Sequence, residues 1–575
     1  MFPVRRTVLS RTRVFAAVLS LSVALAVPVS AAWLANGNPV CTSSGEQNNA
    51  AILADGAGGA FVVWQDWSSG AANLYVQRMT STGAVAAGWP ANGLALCTAA
   101  SDQKAPALAL DGAGGLFVAW EDYRAGGADA NIYLQRITAA GAVVSGWPAN
   151  GLAICTAAAA QGYPTLCSSA GFVIVAWQDD RSGVDSDVYA QRVSGAAVAQ
   201  WTAGGVAVCA EIGHQMFPVT LGDGSGGAFL AWQDHRDGGA DVYAQRITSA
   251  GARSWTATGR PVCVEADDQL SPRMTADGFG GVILSWDDYR NFNADVYAQR
   301  VDAAGTLKWT ATGAALVTDL AEQYGAQPVG DGSGGAFVAW SDYRGGSGDL
   351  YLQRVSSTGS IATGWPASGL PVCTAAGDQF DAVAAPDGLG GVILAWCDAR
   401  SGSAALDLYA QRITAAGAVA AGWGGNGVQV CNAVNNQTRP AIGSSGGGEV
   451  LVAWQDERGG PSDIYLRRIT SAGAVDVPSA DDPTLGLAPP APNPSRGATL
   501  LRYRLAAAGE VRLEVVDVTG RVVRVLVDGM PRDAGFHTEQ WDGRDPSGGP
   551  ASAGLYFVRL RRPDGEDVRK LTILR

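Results

Sequence analysis

The chain has 575 residues, a net charge of −13 and only three lysines, Lys104, Lys308 and Lys570. Four arginines precede residue 14 and bases outnumber acids by three over 484–575, which leaves 33–483 with a net charge of about −20. A body this acidic has little to neutralise phosphate with, so nucleic acid is a poor partner, and the length allows several domains.

The chain opens on Arg5, Arg6, Arg11 and Arg13, then runs apolar from Val14 to Val29, then offers small residues in VPVSAAW. That order predicts a secretory signal peptide over 1–32, because the apolar run is too short to span a bilayer. No later stretch is long and apolar enough to span, so the mature chain is expected outside the cytoplasm with no membrane span.

From residue 33 to 475 one unit recurs eight times. Its anchors are Trp64, Trp120, Trp177, Trp232, Trp286, Trp340, Trp396 and Trp454, spaced 54 to 58 residues apart. A second series, Trp33, Trp89, Trp147, Trp201, Trp255, Trp309, Trp365 and Trp423, marks a tail phrase of the type WPANGLAIC. The two series take 16 of the 18 tryptophans, which makes Trp a core residue of the repeat.

The second unit shows the pattern. APALAL is a short apolar run, DGAGG a glycine turn, and LFVAWED a strand apolar on both faces. NIYLQRIT alternates, with Ile132, Leu134 and Arg136 on one face and Tyr133, Gln135 and Ile137 on the other. A turn-rich connection then leads to LAIC, and no helical period is sustained anywhere. Four antiparallel strands per ~55 residues, eight times over, predict an all-β fold with an eight-bladed β-propeller; an open β-solenoid is the runner-up. The last copy never reaches a tail phrase, while WLANGNPVC is a spare tail at the start. A ring closed by the N-terminal strand resolves both, with Pro39–Cys41 expected beside Tyr465–Ile469.

Positions that recur within the unit are needed by its architecture. Cys41, Cys97, Cys155, Cys209, Cys263, Cys373 and Cys431 fill the fourth-strand position, and Val317 replaces the cysteine of the sixth copy. Neighbouring copies stand too far apart for disulfides, so a small buried hydrophobe is expected there. Pairing of Cys167 or Cys397 stays open. Asp66, Asp122, Asp179, Asp234, Asp288, Asp342, Asp398 and Asp456 follow each anchor by two residues, with an arginine two further on in seven copies and Ser68 in the first. Eightfold recurrence favours a structural ion pair or loop cap over acid chemistry or calcium.

Gln47, Gln103, Gln161, Gln215, Gln269, Gln323, Gln379 and Gln437 stand 16 or 17 residues before the anchors, at the entrance to the first strand. In a four-strand meander they share a face with the loops after the anchors. Those loops carry Trp67, Tyr123, His235, Tyr289 and Tyr343, with Asp180, Ala399 and Glu457 in the other copies. Planar polar groups beside aromatic rings make these thirteen residues the candidate ligand-binding set, for an extracellular glycan or a surface protein. The alternative is that the glutamines tie neighbouring blades and the aromatics shield them. No catalytic constellation, metal site or cofactor motif emerges. The SxDxGxTW box of sialidase-like propellers is absent.

After the repeats, 476–487 is a Pro/Asp-rich linker. Residues 488–575 alternate as short strands with turns about every ten residues, which predicts a small Ig-like β-sandwich. APNPSRGATLLRYRL, VVDVTGRVVRVL, WDGRD, SAGLYFVRL and KLTILR resemble the FlgD-like immunoglobulin-type module, which overlaps in pattern with the type A C-terminal sorting domain of type IX secretion. The resemblance implies a partner in the secretion machinery and export with release or surface attachment. The expectation is therefore a secreted or cell-surface, non-catalytic binding protein. A propeller-fold glycosidase or lyase and a purely structural surface protein are the alternatives.

Overall fold

The computed structural model describes residues 33–471 except 128, 403 and 404, and residues 487–574 except 488–489, 491–492, 494, 496, 498, 506–508, 533–534, 546–548 and 563–564. The predicted signal peptide, and the predicted linker apart from Leu487, lie outside the described residues. No helix among the described residues is long and apolar enough to cross a membrane.

Eight four-stranded antiparallel sheets follow one another from Asn38 to Ile469. Blade 2 is typical: Gln103–Leu110, Leu116–Asp122, Asn131–Ile137 and Leu152–Cys155 pair in that order. Every residue of its second strand but Glu121 is buried, as a strand covered on both faces requires. First strands of successive blades touch all the way round, including blade 8 (from Gln437) against blade 1 (from Gln47), so they line a closed central channel. The protein is an eight-bladed β-propeller, and the open solenoid is excluded.

The ring closes as the spare tail predicts. Asn38–Cys41 is the fourth strand of blade 8, with Asn38, Pro39 and Cys41 opposite Leu466, Tyr465 and Ile464. The rest of the tail copies its counterparts. Trp89 Nε1 in blade 1 donates to Ala139 O in blade 2, and Trp33 Nε1 donates to Ser81 O in blade 1 at 3.0 Å. Arg78 and Arg468, each from the third strand of the same blade as those tryptophans, donate to the same two carbonyls. At the non-covalent seam Arg467 stands where seven blades have glutamine, and its guanidinium reaches Ala35 O and Val430 O.

Beyond the propeller, Val522–Arg532, Gly509–Asp517, Gly554–Arg562 and Gly565–Ile573 form one sheet, and Thr499–Leu505 pairs with Gly535–Trp541 in a second. Leu501, Leu513, Val515, Trp541, Val558 and Leu571 share one core. This is the expected all-β Ig-like sandwich.

Candidate functional site

The recurrent residues build the frame of one face. In every blade the glutamine that starts the first strand lies directly opposite the aspartate that ends the second, as Gln215 does Asp234. Asp234 is fully buried and accepts hydrogen bonds from Trp232 Nε1 at 2.8 Å and from Arg236 at both oxygens, at 2.7 and 2.5 Å. It also caps its loop through Arg236 N at 3.1 Å. The guanidinium lies 4.0 Å from the Tyr243 ring centroid and donates to Cys209 Sγ at 3.3 Å. Cys209 belongs to blade 3 and Arg236 to blade 4, so the cluster joins blades.

The same arginine-to-sulfur contact recurs in blades 2, 3, 5, 7 and 8. Arg344 faces Val317, which offers no acceptor, and no such contact forms there. The fourth-strand cysteines are thus buried and free, and six of the seven, all but Cys41, also accept from an arginine, which enlarges their expected packing role. Burial pushes the Cys97 thiol up to about 11, so it stays protonated. Cys167 and Cys397 are free as well.

The eight candidate glutamines are 0 % exposed. Each Nε2 donates to carbonyls of its own entry loop, as Gln215 does to Gly213 O at 2.7 Å. Each backbone N–H donates to the preceding blade, as Gln215 does to Ser186 O. Their side chains lie beneath the face and shape its loops, out of a ligand's reach.

The five candidate aromatic and imidazole residues are half-buried on that face and do not form an even ring. Trp67 and Tyr123 flank Lys104, whose Nζ is 5.4 Å from each ring centroid and 2.6 Å from Asp102. Tyr343 stacks on Tyr324 with hydroxyls 2.8 Å apart. Tyr289 lines a shallow cavity with Phe292 and Asp268. His235 stands apart in blade 4, its Nε2 buried.

What the channel mouth presents instead is a ring of eight bulges. Two residues of each first strand oppose the single anchor Trp, as Asn49 and Ala50 do Trp64. The first of the two is left-handed in every blade: Asn49, Ala105, Tyr163, Phe217, Ser271, Asp381 and Arg439 have φ between 50° and 55°, and Gly325 has 77°. Outside glycine this conformation costs about 1 kcal/mol or more per residue, and bulky side chains rarely adopt it. Part of the cause is architectural. Bulge backbone N–H groups donate across blades, Tyr163 N to Glu121 Oε1 at 2.8 Å and Gly325 N to Asp287 Oδ1 at 2.9 Å.

The bulge side chains have no such common duty. All eight differ, and most are exposed. Tyr163 is 52 % and Phe217 38 % exposed, and their rings meet edge-on at 4.7 Å. A cavity of about 850 Å³ opens among Asn49, Lys104, Tyr163, Gln327, Asp381 and Arg439, contributed by six different blades. Arg439 donates to Asn49 Oδ1 at 2.7 Å. Asp287, at the edge of the mouth, is pushed up to about 6 by burial, against the pull of the Gly325 and Ala326 N–H groups and Arg273. No cluster of three or more His, Cys, Asp or Glu side chains among the described residues could hold a metal ion.

Residues 497–565 match the FlgD Ig-like domain family. No curated protein matches the chain in sequence. Among solved structures, a puromycin-hydrolyzing peptidase of Mycobacterium tuberculosis is 13% identical, covering 74% of this chain and 62% of that one, with a TM-score of 0.40. The polysaccharide lyase Uly1 is 11% identical over 74% of this chain and 100% of its own, also at 0.40. An alpha-L-arabinanase of Penicillium chrysogenum is 14% identical over 64% and 93%, at 0.33. Likeness of this degree assigns no activity.

The candidate glutamines expected on the surface are thus buried, and the exposed, non-repeating positions lie two residues further along the first strand. The signal was present: after every recurrent glutamine come two residues that differ in all eight copies, then Pro or Ala. Variation held inside an invariant frame marks the positions the architecture leaves free.

Proposed function

We propose that the chain is a secreted or cell-surface binding protein without catalytic chemistry, whose propeller takes an extracellular glycan at the channel mouth. The observation that supports this most is the bulge ring: one left-handed, non-repeating residue from each blade, seven of them with side chains, and six blades opening on one cavity. Tyr163 and Phe217 offer ring faces, and Asn49, Gln327, Asp381 and Arg439 offer donors and acceptors, the mixture that a polyhydroxyl ligand uses. The leader and the sorting-domain resemblance support secretion. We assign 1–32 to the signal peptide, 33–475 to the propeller, 476–487 to a linker and 488–575 to a module for export or attachment.

One observation favours the glycosidase or lyase alternative. Asp287 has a carboxyl held near pH 6, in the range of a general acid. Two backbone N–H groups already occupy its Oδ1, and it lies 7 % exposed. The test is a glycan array probed with the whole secreted protein, followed by a reducing-end assay on every glycan retained. Retention without new reducing ends is expected. Released sugar would replace binding by catalysis, and no retention on any glycan would remove the carbohydrate assignment.

A further inference from the structure

Asp381 and Arg439 occupy the same bulge position in adjacent blades. Both are exposed, and among the described residues neither forms an ion pair. A carboxylate and a guanidinium set side by side on a ring would ordinarily close on each other. Here the left-handed backbone aims each from its own bulge, and the cavity opens between them and Tyr163.

The charges around that cavity select the ligand. Most cations in the propeller belong to the repeat frame and are bound to its aspartates and carbonyls, and Arg273, exposed on the first strand of blade 5, stands with Asp287 rather than among the residues of this cavity. Lys104 and Arg439 are exceptions that line the mouth, and Glu121 and Asp381 face the same space. Glu121 is engaged by Tyr163 N and Tyr123 OH, and Lys104 by Asp102. What remains open is one acceptor, Asp381, beside Arg439, which spends one N–H on Asn49 Oδ1 at 2.7 Å and keeps its others for a ligand, with the Gln327 amide near them. An anionic group entering here meets Asp381, and a cationic one meets Arg439. A hydroxyl suits both, because it donates to the first and accepts from the second.

We propose that the mouth binds the uncharged end of a saccharide chain, with one sugar face on Tyr163, buttressed by Phe217, and neighbouring hydroxyls bridging Asp381 and Arg439. This rests on the glycan-binding function proposed above and narrows it to a neutral ligand at a named set of side chains.

The left-handed backbone supplies an unusually clean test. Glycine adopts φ near 50° without strain, so Tyr163→Gly, Asp381→Gly and Arg439→Gly each delete a side chain while easing the fold. Ala197→Gly, at φ 63° in a turn outside the mouth, is the control. Calorimetric titration of the whole protein uses neutral arabino-, xylo- and gluco-oligosaccharides and, in parallel, oligogalacturonate, at low and high salt. The expected result is neutral binding that salt hardly changes. Each mouth variant should weaken it about tenfold or more with an unchanged or higher melting temperature, and Ala197→Gly should leave it intact. Binding of oligogalacturonate alone, lost in salt, would overturn the neutral class and keep glycan binding. Neutral binding untouched by the three variants would overturn the mouth as the site. Failure of the wild-type protein to bind any of these sugars or any array glycan would remove the underlying function.

Discussion

The two ends of the anchor tryptophan's neighbourhood behave oppositely. On its outer side, the indole, aspartate, arginine and tyrosine repeat with nearly the same geometry from blade to blade: Trp Nε1 to Asp Oδ2 lies between 2.6 and 2.8 Å in seven blades. On its inner side, the bulge opposite that same tryptophan carries eight different residues. The outer cluster is buried and saturated with partners, so almost any change leaves a charge or donor stranded. The inner residue projects into the channel, and its ties run through backbone N–H groups at Tyr163 and Gly325, with Arg439 to Asn49 as a side-chain tie. The frame therefore varies at few positions, Ser68 and Val317 among them, while the bulge position varies in every blade, and that contrast is why the mouth is proposed as the site.

Blade 1 is the natural break in the frame. Ser68 stands where the arginine belongs, Trp64 Nε1 is buried without a partner, and Asp66 turns to Ser43 Oγ at 3.0 Å and to Ser68 Oγ. The blade still folds. The largest expected effect sharpens this difference. Asp234→Ala strands a mostly buried guanidinium and an indole N–H and should cost about 3 kcal/mol, while Asp66→Ala should cost about 1 kcal/mol because two hydroxyls and the Ser68 N–H lose a partner and no charge is stranded. Denaturant midpoints of the two variants measure this, and equal losses would mean that the arginine adds nothing to the cluster.

Ser68→Arg is the complementary repair. It should supply the missing bidentate pair, return Asp66 Oδ2 to Trp64 Nε1, and raise stability by about 1 kcal/mol. It would also give Cys41 the arginine contact that the other fourth-strand cysteines have from the next blade. A loss of stability on this substitution would show instead that Ser43 has made the seam between blades 8 and 1 a different solution.

How far these features were legible depends on their range. Ring closure could be read because the tail phrase is local: WLANGNPVC resembles WPANGLALC, and its displacement to the start demands a partner at the end. The Asp–Arg pairs could be read because a single residue separates them. The arginine-to-cysteine ties could not, since Cys97 and Arg124 fall in different units and meet only when blades pack side by side. The glutamines misled for a physical reason. A polar residue at a strand entrance suggests exposure, but its Nε2 donates to carbonyls of a tight loop and holds the side chain inside, even though Oε1 of Gln47, Gln103, Gln161, Gln379 and Gln437 is buried without a partner. The bulge escaped because a positive φ at Tyr or Arg has no residue-type signature, unlike the glycine of DGAGG.

The smallest predicted effect lies between frame and mouth, where the third strand begins. Asp241 sits opposite Asp234 across the ladder, 4 % exposed, and burial together with Asp237 and Asp234 pushes its carboxyl up to about 7. Asp187 and Asp463, at the same position, are raised to about 6. Blades 1 and 2 have Asn73 and Asn131 there instead, opposite Asp66 and Asp122. The native carboxyl thus holds a proton that the unfolded chain has already released above its ordinary value of 3.8. Its contribution to stability is complete below that value and is lost as pH rises through about 7. Asp241→Asn removes the charge without removing the shape, so the variant should gain about 1 kcal/mol over the wild type at alkaline pH, a gain that shrinks as pH falls through about 7 and vanishes below 3.8. Asn73→Asp should do the reverse in blade 1. Thermal unfolding of both variants from below pH 3.8 to above about pH 7 measures the two slopes. A gain for Asp241→Asn that does not change with pH would mean the carboxylate is already ionised and screened in the folded ring, and would leave the asparagines of blades 1 and 2 without an electrostatic cause.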